Sequence, residues 1–80
     1  ETLSIQNQYN EYVMTGLRTI WGISVDKIEV AFGTTYKSHL LNSAKKFIDN
    51  GVLIIENEVL MTSEKGKFLV DGIASELFMI

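Results

Sequence analysis

The 80-residue chain contains no cysteine and no proline, and it has only one histidine, one tryptophan and one arginine. Without cysteine, this segment forms no disulfide, thiolate zinc site or iron–sulfur ligation, and it offers no thiol nucleophile. The single histidine, His39, rules out a multi-histidine metal site. No apolar run approaches the ~20 residues that span a bilayer, and nothing resembles a signal peptide. We therefore expect a cytoplasmic setting.

The composition is that of one small globular domain. The chain is 46% hydrophobic and 21% charged, which is typical of a folded rather than a disordered chain. A net charge of −3 opposes long-range attraction to nucleic acid. No linker or repeat divides the sequence, so residues 1–80 are expected to form a single domain. The chain opens with Glu1 and no initiator methionine, which suggests a piece excised from a larger protein.

The spacing of apolar residues predicts two helices in the first part of the chain. The first runs from about Asn7 to Thr19, with an apolar stripe of Tyr9, Val13, Leu17 and Ile20. Ser24 is a good N-cap for a short second helix, because its hydroxyl can accept a free backbone amide. Gly33 ends that helix. The apolar face of the second helix consists of Val25, Ile28 and Phe32.

A third helix, a hairpin and a fourth helix follow. Thr34 or Thr35 caps the third helix, which runs to about Asn50. Its inward stripe consists of Tyr36, Leu40, Leu41, Ala44, Phe47 and Ile48. Two β-rich runs, residues 52–55 and 59–61, are joined by the short connection 56–58. Thr62 or Ser63 then caps the fourth helix, which has one broad apolar stripe of Phe68, Leu69, Ile73, Leu77 and Phe78.

This order predicts an α+β, winged-helix-like fold with three helices, a two-stranded β-hairpin wing and a C-terminal helix. The second and third helices would form its helix-turn-helix, so nucleic-acid binding has to be tested against the residues. The third helix carries no arginine, and its basic residues are Lys37, His39, Lys45 and Lys46. The wing tip holds Glu56 and Glu58, which have the wrong charge for a phosphate backbone. These residues argue against nucleic-acid binding.

Several segments resemble a known family. Residues 11–19, followed by Gly22 and Ile23, match the pattern Glu-aromatic-hydrophobic-Met-x-x-Leu-Arg and then Gly-hydrophobic. Residues 32–33, 50–53, 63–66 and 68–73 match later parts of the same pattern, so the similarity spans roughly residues 8–78. The pattern is that of the C-terminal domain in the oxygen-independent coproporphyrinogen III oxidase family of radical-SAM proteins, including its haem-chaperone-like members.

The resemblance implies a parent protein with an N-terminal, partial TIM-like barrel. There a Cys-x-x-x-Cys-x-x-Cys loop would hold a four-iron–four-sulfur cluster, and S-adenosylmethionine would bind its open iron. The oxidase decarboxylates porphyrinogen propionates to vinyl groups, whereas chaperone-like members bind and deliver haem. None of these ligating motifs lies in this chain. We therefore expect a non-catalytic domain that covers or docks on the barrel and shapes access of the tetrapyrrole. The alternative is a stand-alone winged-helix module that binds nucleic acid or protein.

Four features carry two interpretations each: the pair Glu11 and Arg18, Trp21, His39 and the C-terminal tail. Glu11 and Arg18 lie two helical turns apart, either in a surface charge network or in contact with the barrel or a substrate propionate. Trp21 either packs between the helices or contacts the barrel or the flat tetrapyrrole. His39 is either a packing or surface residue or an axial haem ligand. The apolar tail, residues 77–80, either folds back on the core or forms a docking patch.

Overall fold

The computed structural model describes residues 4–79, which form four α-helices and a three-stranded antiparallel sheet. The helices are α1 (Ile5–Leu17), α2 (Val25–Phe32), α3 (Thr34–Asp49) and α4 (Val70–Leu77). The strands are β1 (Ile23–Ser24), β2 (Leu53–Glu56) and β3 (Val59–Thr62), and a 3₁₀ helix (Lys67–Leu69) precedes α4. The predicted α+β, winged-helix-like class is confirmed. None of the helices within residues 4–79 is long and apolar enough to cross a lipid bilayer.

Serine hydroxyls define the starts of α1 and α2. The Oγ atom of Ser4 accepts from the amide of Asn7 at 3.1 Å, and that of Ser24 accepts from the amide of Lys27 at 3.2 Å. The predicted cap at Ser24 is thus confirmed. The predicted threonine cap of α3 is wrong, because Thr34 is already helical and Gly33, at φ 106°, is the N-cap. Gly33 is the one residue between the two helices, and it has no side chain with which to cap α3.

The wing is a tight hairpin between β2 and β3. Glu56 pairs with Val59 across a two-residue turn in which Asn57 and Glu58 have φ values of 52° and 61°. Two consecutive positive φ values match the right-handed twist of the strands. Strand β1 was not predicted; it pairs with β3 on the side opposite β2 and gives the sheet order β1-β3-β2. Two residues are too few to show an alternating pattern.

The core lies between the helices and the inner side of this sheet. The largest fully buried side chains are Tyr9, Val13, Leu17, Ile23, Ile28, Leu40, Leu53, Leu60 and Leu77. The inward stripes predicted for the first three helices are therefore largely confirmed. Ile20 is the exception, because α1 ends at Leu17 and leaves the Ile20 side chain 83% exposed.

The last helix begins later than predicted. Ser63 caps a turn instead: its hydroxyl accepts from the amide of Gly66 at 3.3 Å and donates to the carbonyl of Gly51 at 2.5 Å. The 3₁₀ helix follows, and Leu69 then adopts a non-helical conformation with φ −116° and ψ 14°. This change of register turns Phe68 and Leu69 away from the core, so the prediction that both share one helical stripe with Ile73 and Leu77 is wrong.

The chain after α4 folds back onto α1 and α3. The hydroxyl of Tyr9 donates to the carbonyl of Leu77 at 2.9 Å. Asn10 bonds Met79 through both its amide oxygen and its amide nitrogen, at 2.8 and 3.2 Å. Phe78 and Met79 are half-buried against the core. The tail therefore packs back as far as residue 79, and Ile80 lies outside the described residues.

Candidate interaction surface

The large apolar side chains that remain most exposed include two pairs next to the sheet and α4. Ile20 and Trp21 lie in the turn between α1 and β1, and Trp21 is 76% exposed. Phe68 and Leu69 lie in the 3₁₀ helix, where Phe68 is 93% exposed. The prediction that Trp21 packs between the helices is wrong, because the chain has already left α1 when it reaches this residue.

Two grooves connect these pairs. The α3–α4 groove, about 530 Å³, lies between the end of α3 and the start of α4 and is lined in part by Phe47, Phe68, Leu69 and Ile73. The α1–β3 groove, about 420 Å³, is lined in part by Leu17, Ile20 and Met61. Lys67 and Val70 line both grooves and form the ridge between them. We call the surface made by these two grooves with Ile20, Trp21, Phe68 and Leu69 the apolar face.

Sequence reasoning singled out Trp21 on this face and missed the 3₁₀ helix. A helical period carried through residues 62–78 places Phe68 and Leu69 on the apolar stripe. Gly66 and Gly72 both argue against a continuous helix, because glycine disfavours the interior of a helix, but Gly72 lies within α4 and only Gly66 lies outside it. The Cα of Gly66 lies so close to the carbonyl of Val52 that a β-carbon would collide with that oxygen. The 3₁₀ helix begins directly after this contact.

Glu11 and Arg18 have different surroundings in the structure. The Nη2 atom of Arg18 lies 2.7 Å from Oδ1 of Asp71, and both side chains are well exposed. Arg18 lines the α1–β3 groove, whereas Glu11 lines a separate shallow depression on α1 with Gln8, Tyr12 and Thr15. Of the two candidate residues, only Arg18 therefore belongs to the apolar face.

Replacing Arg18 with glutamine is expected to lower the free energy of unfolding by less than about 1 kcal/mol, because an exposed ion pair is screened by water. Urea denaturation of the Arg18→Gln and Asp71→Asn single variants and of the double variant measures their coupling. A coupling energy above about 2 kcal/mol would contradict this and make the pair a structural element of the α1–α4 packing.

Acidic side chains pair with two of the four basic residues of α3. Lys37 lies 3.4 Å from Glu29. The Nζ atom of Lys46 lies 2.6 Å from Oε1 of Glu76, and this hydrogen bond and charge lower the pKa of the Glu76 carboxyl. The helix that would read a nucleic acid therefore presents little unpaired positive charge.

His39 is bound within the domain. Its Nε2 atom donates to the carbonyl of Phe78 at 2.8 Å, and its ring packs edge-on against Tyr9. This environment favours the packing interpretation, because one ring nitrogen bonds the backbone of the tail and the ring packs against a core tyrosine. Within residues 4–79, no three His, Asp or Glu side chains converge on a metal position.

Comparison with known proteins gives a family. Residues 3–69 match the model of the HemN C-terminal domain. Searches of curated proteins and of solved structures found no match. The family match includes α1, α2, α3, the sheet and the 3₁₀ helix, and it ends where α4 begins. Because it covers most of the chain, it confirms the resemblance seen in the sequence: the chain belongs to the HemN family of coproporphyrinogen oxidases, as a C-terminal domain.

Proposed function

We propose that this chain is a non-catalytic C-terminal domain that docks on the N-terminal barrel of a radical-SAM protein similar to oxygen-independent coproporphyrinogen III oxidase or its haem-chaperone relatives. The apolar face carries this proposal, with Trp21 76% and Phe68 93% exposed. Exposed apolar side chains grouped on one side of a small domain typically mark a contact surface. Docked in this way, the domain shapes the access of the tetrapyrrole to the barrel.

The cofactors of such a parent do not fit the residues of this chain. Iron–sulfur clusters are held mainly by cysteine thiolates, and the chain contains no cysteine. We therefore place the four-iron–four-sulfur cluster and S-adenosylmethionine in the barrel and assign this domain no catalytic residue. The protein is proposed to work in the cytoplasm, in porphyrin biosynthesis or in haem delivery.

Arg18 and Trp21 are proposed as contacts with the barrel or the tetrapyrrole. The exposed ion pair with Asp71 leaves Arg18 accessible, and a guanidinium group matches the geometry of a carboxylate. Trp21 offers a flat apolar surface beside the α1–β3 groove. Glu11 lies on a different part of α1, outside the apolar face. Its proposed contact with the barrel therefore requires that the barrel touch the domain at a second surface.

The rival function, a stand-alone nucleic-acid-binding module, is less well supported. Phosphate recognition needs several unpaired lysine or arginine side chains on the recognition helix and wing. Here Lys37 and Lys46 pair with glutamates. Glu56 ends β2 and Glu58 lies in the wing turn, so the wing presents negative charge.

The test uses the whole parent protein, with a specific protease site inserted immediately before Glu1. After purification and cleavage, we expect the two pieces to elute together in size-exclusion chromatography, because the apolar face holds them in contact. A sequence upstream of Glu1 that contains Cys-x-x-x-Cys-x-x-Cys would support the radical-SAM parent. Separation of the pieces on cleavage, or a start codon just before Glu1, would overturn the proposal.

A further inference from the structure

The ridge of the apolar face carries one positive charge between two apolar grooves. Lys67 lines both grooves, with Phe68 and Leu69 on the α3–α4 side and Ile20 and Met61 on the α1–β3 side. A surface that covers the apolar face therefore meets the apolar side chains of one groove, the Lys67 ammonium group and the apolar side chains of the second groove in succession. The other charged residues that line the grooves are paired within the domain, Arg18 with Asp71 and Lys46 with Glu76.

Lys67 is the cation in the grooves that is most easily engaged by a partner. Arg18 and Lys46 also line them, but each is held by a carboxylate of this domain, at 2.7 and 2.6 Å. Lys67 lies 3.9 Å from Glu64, whose side chain is 96% exposed, so that pair is loose. A weak, solvated ion pair contributes little and is readily exchanged.

A second copy of this domain is a poor occupant of the apolar face. In a two-fold symmetric dimer the same patch faces itself, which brings Lys67 close to its own copy. With their exposed fractions applied, the four apolar side chains offer roughly 500 Å², taking about 200 Å² for a whole aromatic and about 100 Å² for a whole aliphatic side chain. Separate proteins that associate stably bury about 800 Å² each, of which somewhat more than half is apolar, so the area alone does not exclude a second copy. The repulsion between the two Lys67 side chains disfavours it, whereas a domain of the same polypeptide meets no such repulsion and is present at a high effective concentration.

We infer that the surface covering the apolar face presents a carboxylate between two apolar side chains, with Lys67 binding the carboxylate and each groove receiving one apolar side chain. This inference rests on the docking proposed above, and it specifies the chemistry of the docked surface. Charge complementarity across such a contact sets its orientation and excludes wrong partners.

The test compares charge reversal at two neighbouring lysines in the cleavable parent protein. Lys67→Glu is expected to raise the dissociation constant of the cleaved pieces by about tenfold or more, because two carboxylates would then face each other. Lys65→Glu is the matched control, since Lys65 lines neither groove and bonds the carbonyl of Asn50. We expect it to change the dissociation constant by less than about twofold.

A third variant, Phe68→Ser, tests the apolar part of the contact. Phe68 is 93% exposed, so its removal leaves the melting temperature of the domain unchanged and weakens the association of the pieces. If Lys67→Glu binds like the unmodified protein, the inference is overturned, while docking stands. If Lys65→Glu weakened the association of the pieces as much as Lys67→Glu does, the inference would also be overturned, because the effect would then depend on the net charge of the domain and not on the position of Lys67. If the unmodified pieces separate, both the docking and the inference fail.

Discussion

Replacing Gly22 with alanine is expected to lower the free energy of unfolding by about 2 to 5 kcal/mol. Gly22 has φ 70°, a conformation that side chains with a β-carbon rarely adopt. A β-carbon there would also lie 2.5 Å from the carbonyl oxygen of Leu60. This oxygen belongs to the backbone of β3 and cannot move without disturbing the pairing of β1 with β3. Urea denaturation followed by circular dichroism measures the loss.

Gly72→Ala is the matched control for this prediction. Gly72 lies within α4, and a β-carbon added there meets nothing within 4 Å. Alanine is the better helix former, so this variant is expected to raise the free energy of unfolding by up to about 1 kcal/mol. If Gly22→Ala were as stable as the unmodified chain, the close approach of the α1–β1 turn to β3 would be wrong.

Tyr9→Ala is expected to lower the free energy of unfolding by about 3 to 5 kcal/mol, the range for deleting a large buried aromatic side chain. Tyr9 is fully buried and contacts the rings of Phe32, Tyr36 and His39. Tyr9→Phe keeps the ring and removes only the hydroxyl that donates to the carbonyl of Leu77. That variant is expected to lose about 1 to 2 kcal/mol. A loss as large as that of Tyr9→Ala would show that the hydroxyl, and not the ring, dominates.

The stability of the unmodified chain is expected to depend on pH differently from that of Tyr9→Phe. Burial, and to a lesser extent the neighbouring Tyr36, raises the pKa of the Tyr9 hydroxyl above its usual value. The folded state therefore favours the protonated Tyr9 hydroxyl. The stabilisation that this hydroxyl gives to the folded state is fully present below about pH 10, the pKa of an unfolded tyrosine. Above that pH the unfolded state loses its proton first, so stability falls by up to about 1.4 kcal/mol per pH unit.

Urea denaturation at several pH values between 8 and 12 tests whether stability falls in this direction. The advantage of the unmodified chain over Tyr9→Phe should be constant up to about pH 10 and should shrink above it, because phenylalanine does not titrate. Lysines titrate in both proteins, so their effect cancels in the difference. A difference that stays constant to pH 12 would mean that Tyr9 ionises as readily folded as unfolded.

Local chemistry was sufficient to predict much of the fold. Ser24 begins α2 because its hydroxyl binds a free amide three residues away, and that contact needs no distant residue. The hairpin follows from two β-rich runs with a short connection, although the predicted connection of residues 56–58 is one residue too long because Glu56 still pairs with Val59. The stripe around Leu40 and Ala44 has helical spacing and faces the core as predicted.

The apolar face could not be predicted in the same way. Phe68 and Leu69 continue the helical period of α4 in sequence, yet they lie outside it because the chain makes a 3₁₀ turn after Gly66 packs on Val52. Trp21 is apolar enough to be a core residue. It is exposed because α1 ends at Leu17, before the chain reaches it. Contacts between residues distant in the chain decide both outcomes.

The sequence alone determined the family, the helical order and the wing, because these depend on short-range spacing and on residues 11–19 and their later matches. The lack of cysteine likewise means that this chain has no thiolate to ligate an iron–sulfur cluster. Only the tertiary structure showed that Lys67 lies between two grooves, since their walls come from segments that are distant from one another in the sequence. Tertiary packing determines which apolar side chains are buried and which stay exposed. The exposed ones form the apolar face, which we propose is covered by a partner.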